Sequence, residues 1–122
     1  MYILLVDDNE KIWNRLIKAI HTVGENIVVL TAKNCKEAIR FINSFNPALV
    51  ILDISLPDGS GIRLLRIIKS INPQVCVFMF TNYGTVEFKK SCEKLGADLF
   101  FEKTNFNELI NSIRDKYESM VN

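Results

Sequence analysis

Apolar and polar positions fall into alternating blocks along this chain. Residues 2–6 (YILLV) are wholly apolar and stop abruptly at Asp7-Asp8. A run this short, with no polar residue interleaved, predicts a strand covered on both faces. In residues 9–24 the period changes: Ile12, Leu16, Ile17 and Ile20 recur at helical spacing, and Gly24 is a stop signal. The same exchange repeats. Residues 26–32 (NIVVLTA) predict a strand. Residues 34–45 predict a helix, with Asn34 as N-cap, Glu37 completing a capping pattern and Pro47 just beyond the end. Residues 48–52 (ALVIL) predict a third strand. Residues 61–71 predict a helix with Ile62, Leu64, Leu65 and Ile68 inward and Arg63, Arg66 and Lys69 outward. A strand at 75–80 (VCVFMF), a weaker helix at 85–96, a short strand at 98–102 (DLFFE) and a last helix at 105–121 complete the series.

Five strand-helix pairs in strict alternation predict an α/β fold with a mostly parallel sheet, helices covering both faces. At 122 residues, with neither repeats nor a linker-like segment, the chain is expected to be one domain spanning 1–122. Its net charge of +1 gives no electrostatic reason to expect direct nucleic-acid binding or attachment to an anionic membrane. The apolar run at the amino end is too short for a signal peptide or a span. The three cysteines, Cys35, Cys76 and Cys92, match no metal-binding spacing. Reduced, packed thiols fit an intracellular, cytoplasmic protein.

In parallel sheets of this kind, sites form at the carboxyl ends of the strands. The first strand ends at Asp7-Asp8, the third at Asp53 and the fourth at Thr81, and the fifth is followed by Lys103. Asp53 is the least ordinary of these, because it closes an apolar segment. A bare buried charge is very unfavourable unless it is paired, hydrogen-bonded or metal-bound. Close carboxylates repel one another and need a counter-charge. A hard divalent cation supplies one, and Mg2+ favours one or two carboxylates with several waters. Asp7, Asp8, Asp53 and a backbone carbonyl just after Asp53 suit it. Asp58 and Ser60 lie nearer the following helix and are candidates for capping it. Asn9 can cap the first helix, which leaves Asp7 and Asp8 free. His21 has no ligand-type neighbours and reads as a surface residue. Trp13 reads as partly packed.

The segments LLVDDNE, LVILDISLPDGSG, MFTN and GADLFFEK, in this order and covering essentially the whole chain, resemble the receiver domain of bacterial two-component response regulators. The resemblance implies a doubly wound (βα)5 flavodoxin-like domain with a five-stranded parallel sheet in the order 2-1-3-4-5. It implies that Asp53 is the phosphoacceptor, and that Mg2+ is held by Asp8, by Asp7 largely through water, by Asp53 and by the backbone carbonyl of Ser55. Lys103 would pair with the phosphoryl group, and Thr81 would donate a hydrogen bond to it. Thr81 and Phe100 would be the switch residues that reshape a partner-binding face. The phosphodonor would be a histidine kinase or phosphotransfer protein, and the target an unidentified downstream protein or output domain. Homodimerisation is left open, as is the choice between a complete single-domain regulator and the amino-terminal piece of a longer protein. The chain would catalyse only its own phosphorylation and dephosphorylation.

Two positions depart from the family pattern. Thr104 follows the lysine where proline is usual. A non-proline cis bond is unfavourable by about 2.5–4 kcal/mol, so a trans peptide is expected. Asn82 follows Thr81 where Ala or Gly is usual, with Tyr83 next, and the two are expected to slow loss of the phosphoryl group. Two other functions compete. A magnesium-dependent phosphatase of the haloacid dehalogenase type would use the same nucleophile. It requires a second acid two residues on, where this chain has Ser55, a poor acid or base near neutral pH. A flavodoxin-like ligand binder would want a Ser/Thr/Gly-rich loop after the first strand, where this chain has acids.

Overall fold

The computed structural model describes residues 1–121. The elements are β1 (Tyr2–Val6), α1 (Glu10–His21), β2 (Val28–Ala32), α2 (Cys35–Phe45), β3 (Leu49–Leu52), β4 (Ser55–Leu56), β5 (Gly59–Ser60), α3 (Gly61–Ile71), β6 (Cys76–Thr81), α4 (Val86–Lys94), β7 (Leu99–Glu102) and α5 (Phe106–Val121). Five of the strands build one parallel sheet in the order β2-β1-β3-β6-β7, and β4 and β5 form a separate antiparallel hairpin. With the hairpin set aside, the order is the expected 2-1-3-4-5.

The apolar strands are explained by the sheet's two covers. Along β1, Leu4 and Val6 join a core with Ala38 and Ile42 of α2, Leu64, Leu65 and Ile68 of α3, and Cys92 of α4. The alternate residues Ile3 and Leu5 join a second core with Leu16 and Ile20 of α1 and Leu109, Ile110 and Ile113 of α5. Successive side chains of a strand point to opposite faces, so a strand packed on both must be apolar throughout. The sandwiched strands β1 and β3 meet this condition and β6 does so up to its last residue, Thr81, while the edge strand β7 has exposed residues at both ends.

Helix starts follow the capping residues. The side chains of Asn9, Asn34, Ser60 and Thr85 accept from the backbone N–H of Lys11, Glu37, Ile62 and Phe88 respectively. Two expectations are corrected. Helix α1 ends at His21 rather than running to Gly24: Thr22 turns its hydroxyl onto the Ala19 carbonyl at 2.6 Å and closes the last turn. Asp58 does not cap α3. Ser60 does, and the Asp58 carboxylate instead receives the N–H groups of Cys35 and Lys36 at the start of α2. Trp13 is partly packed in the α1–α5 core and His21 is exposed. Burial raises all three thiols to about 11, with help from Asp58 at Cys35, Asp98 at Cys76 and Glu93 at Cys92. Among the described residues no helix is long and apolar enough to cross a membrane.

Candidate functional site

The order of the sheet reverses at β1, which lies between β2 and β3, and the carboxyl ends of β1 and β3 therefore flank a crevice. Register sets the rest. Val6 pairs with Leu52, and the ladder continues one step past the strands. The Asp7 N–H donates to the Ala32 carbonyl and the Asp53 N–H to the Val6 carbonyl, each at 3.0 Å. Asp7 and Asp53 consequently leave the sheet side by side. With Asp8 they form a cluster whose nearest carboxylate oxygens all lie within 4.8 Å of one another. Asp7 and Asp53 are 4% and 6% exposed, whereas Asp8 faces solvent.

Lys103 supplies the counter-charge. The Lys103 N–H donates to the Thr81 carbonyl at 2.9 Å, which fixes the end of β7 against β6. From there Nζ reaches Asp7 Oδ2 at 2.7 Å and Asp53 Oδ2 at 3.1 Å. The Lys103–Thr104 peptide is trans, as expected without proline. Burial alone would depress the ammonium, but the hydrogen bonds and charges of Asp7 and Asp53 outweigh it and hold the lysine above its ordinary range. Asp7 shows the opposite balance. Burial raises its carboxyl above the ordinary 3.8 even though Lys103 and the Asn9 N–H oppose the shift.

The oxygens of the two buried acids differ in occupancy. Asp7 Oδ1 accepts from the Asn9 N–H at 2.9 Å and Oδ2 from Lys103. Asp53 Oδ2 also receives Lys103, but its Oδ1 is buried with no hydrogen-bond partner. Such an oxygen is unfavourable unless something binds it. An acceptor-only donor set of three carboxylates with one unfilled buried oxygen fits a hard divalent cation.

The remaining candidates surround this centre. Thr81 ends β6 and is fully buried. Its Oγ1 accepts the Tyr83 N–H at 3.1 Å, which leaves the hydroxyl proton for another acceptor. Ser55 opens β4, two residues past Asp53. Phe100 is partly buried, pairs in register with Met79 and packs on the α2–α3–α4 side of the sheet. Asn82 and Tyr83 are exposed beside Thr81.

Sequence reasoning missed the role of Gly61. Its N–H donates to the Ile54 carbonyl at 2.6 Å, and a Cβ built on it would lie 1.9 Å from the Asp53 backbone oxygen and 2.8 Å from the Ile54 Cα. Those are backbone atoms and cannot rotate aside, so the absence of a side chain is what lets the chain close behind Asp53. Gly61→Ala is expected to lower stability by about 1–3 kcal/mol, in the range for overpacking a tight site, and to displace Asp53. Thermal unfolding together with a Mg2+ titration checks both effects. A variant with unchanged midpoint and unchanged metal affinity would show that the contact relaxes freely.

Comparison with known proteins agrees with this fold. Residues 3–114 match the family model described as the response regulator receiver domain. The chain is 29% identical over 119 residues to the photosynthetic apparatus regulatory protein RegA of Cereibacter sphaeroides, covering 97% of this chain and 64% of that one. It is 33% identical to the chemotaxis protein CheY of Halobacterium salinarum, covering 83% and 82% of the two chains. The receiver domain of the Francisella response regulator 1452 superposes with a TM-score of 0.81 at 30% identity, over 98% of both chains. The chain thus spans somewhat under two thirds of RegA and most of CheY. With the family model covering nearly the whole sequence, this chain belongs to the response regulator receiver domain family.

Proposed function

We propose that this receiver accepts one phosphoryl group on Asp53. The observation that carries the reading is the asymmetry at Asp53: one carboxylate oxygen is held by Lys103, and the other is buried, unbonded and surrounded by acids. A carboxylate oxygen attacks phosphorus, the new O–P bond gives an acyl phosphate, and the bond from phosphorus to the donor's leaving atom breaks with its electron pair. The donor is a phosphohistidine of a histidine kinase or phosphotransfer protein, or a small acyl phosphate. Asp7, Asp8, Asp53 and the Ser55 carbonyl would hold Mg2+. Bound there, it supplies charge neutralisation for the phosphoryl oxygens. Lys103 offers its ammonium to the transferred group and Thr81 its free hydroxyl proton, so this chain contributes position and charge.

The phosphoryl group adds roughly −1.5 to −2 charges at neutral pH and three acceptor oxygens. Thr81 moves toward it, and Phe100, already half-buried behind that strand, fills the space it leaves. The face made by α4, β7 and α5 changes shape, and a downstream protein or output domain that prefers one shape shifts the population. The chain acts on no separate substrate in this scheme. Family membership favours neither the dehalogenase-type phosphatase nor the flavodoxin-like binder.

Incubation with acetyl phosphate tests the reading. Intact mass should rise by one phosphoryl group, only when Mg2+ is present, and hydroxylamine should remove the gain. No gain, or a gain without a divalent cation, would sink it. A further expectation concerns lifetime. Asn82 and Tyr83 stand next to Thr81 at the open side of the site. Asn82→Ala should admit water and shorten the acyl-phosphate half-life by about two- to tenfold, up to about 1.4 kcal/mol of barrier. A half-life equal to or longer than wild type would rule this out.

A further inference from the structure

The amino terminus of α2 has an unusual source of partners. The first four N–H groups of a helix have no intrahelical acceptor. Of the three belonging to Cys35, Lys36 and Glu37, the last donates to Asn34 Oδ1 at 2.8 Å, and the helical ladder begins with the Ala38 N–H on the Asn34 carbonyl at 3.1 Å. The other two go to a residue 22 to 23 positions away: the Cys35 N–H donates to Asp58 Oδ1 at 2.7 Å and the Lys36 N–H to Asp58 Oδ2 at 3.2 Å. These bonds, the Cys35 N–H foremost, hold the Asp58 carboxyl below the usual carboxylate range.

Asp58 sits at the tip of the β4–β5 hairpin, in the segment that leaves Asp53 and returns to it at Gly61. We propose that Asp58 is a positioning residue for the phosphoryl-accepting site: it clamps this segment onto α2 and so holds the Ser55 carbonyl and the Asp53 backbone in the arrangement that binds the cation. The inference rests on the proposed role of Asp53 and its cation.

Little else holds the tip. The base is fixed by Gly61 against Asp53 and by the buried side chains of Ile54 and Leu56. Beyond the base, Pro57, Gly59 and Ser60 are exposed. The tip overlies a cavity of about 300 Å3 lined in part by Cys35, Arg63, Leu64 and Ile67, so packing from below does not lock it. The element that Asp58 grips is itself tied to the site. The Lys33 N–H donates to Glu37 of α2 at 3.4 Å, and the preceding residue, Ala32, offers its carbonyl to the Asp7 N–H. The clamp therefore sets the hairpin on one side of the crevice in register with Asp7 on the other. Residues that orient a metal's ligands without touching the metal commonly alter affinity by 10- to 100-fold when removed.

The test compares two losses at the same helix end. Asp58→Ala removes a cap and the clamp, and Asn34→Ala removes a cap only. Calorimetric titration with Mg2+ alone should show affinity about tenfold weaker in Asp58→Ala, an intermediate loss in Asp58→Asn, which keeps one acceptor oxygen, and no change in Asn34→Ala. Hydrogen exchange without metal should show the Gly61 amide less protected in Asp58→Ala and unaltered in Asn34→Ala. Wild-type affinity in both Asp58 variants, or an equal loss in Asn34→Ala, would overturn the positioning role and leave the proposed role of Asp53 standing. A wild-type chain that binds no Mg2+ would overturn both. Should Asp58→Ala fail to fold, Asp58→Asn carries the same comparison.

Discussion

Asp53→Asn is expected to abolish phosphoryl uptake from acetyl phosphate. Asp7 and Asp8 remain in that variant, so the result depends on whether either can substitute. Asp7 is poorly placed to attack: one oxygen receives the Asn9 N–H and the other the Lys103 ammonium, and both bonds draw electron density from the nucleophile. Asp8 is exposed, and a solvated carboxylate with no held neighbour lacks the positioning that phosphoryl transfer depends on. Only Asp53 offers a buried oxygen with no partner. Asparagine has nearly the same shape and removes one of two close like charges, so it should fold as well as wild type. A thermal melt run beside the mass measurement separates loss of chemistry from loss of fold. A residual gain of one phosphoryl group in a folded Asp53→Asn chain, mapped to another acid by peptide analysis, would place the nucleophile elsewhere.

The layers of this fold were readable because burial on two faces leaves an unambiguous trace: β1 and β3 are apolar at every position, and β6 at every position before Thr81. The acids at their ends were readable for the same reason, since a charge closing such a run stands out. Asn9 and Asn34 were legible as caps because they bond within their own first turn. What was hidden is non-local. The β4–β5 hairpin has two residues per strand and mostly exposed side chains, too short for any period to appear. Asp58 lies two residues before Ser60 and reads as belonging to α3, because nothing local shows that its carboxylate turns to a helix passed more than 20 residues earlier. The pairing within the site was equally hidden. That Lys103 stands closer to Asp7 than to Asp53 depends on how β7 ends against β6. The role of Gly61 was hidden because a close backbone approach leaves no mark on sequence beyond the glycine itself.

Lys103→Met is expected to destabilise the metal-free chain by about 3 kcal/mol, the lower end of what breaking a buried ion pair involves, because two nearly buried carboxylates lose their cation together. The methionine keeps the stem packed, so the effect is electrostatic. Its pH dependence has a definite sign. In wild type the Lys103 ammonium is raised by its partners, so its contribution is complete below the unfolded value of 10.5 and is lost as pH rises through the folded one. Asp7 is raised by burial above 3.8, so the unfolded chain binds fewer protons there than the folded chain between those two values, and stability falls as pH rises through that window. Removing Lys103 takes away the opposing bond and widens the window upward. The variant should therefore lose its deficit on acidification toward the folded Asp7 value and keep it at neutral pH. Mg2+ should restore neutral-pH stability as well, because a cation binding only the folded chain raises its midpoint, and the site without the ammonium gains more from it. Phosphoryl uptake should be slowed but not abolished, since Asp53 and the remaining acids are intact. The measurement is the melting midpoint of both chains across pH, with and without Mg2+. A variant whose deficit is the same at acidic and neutral pH, and which Mg2+ raises no further than wild type, would show that Lys103 acts through packing and not as the counter-charge of this cluster.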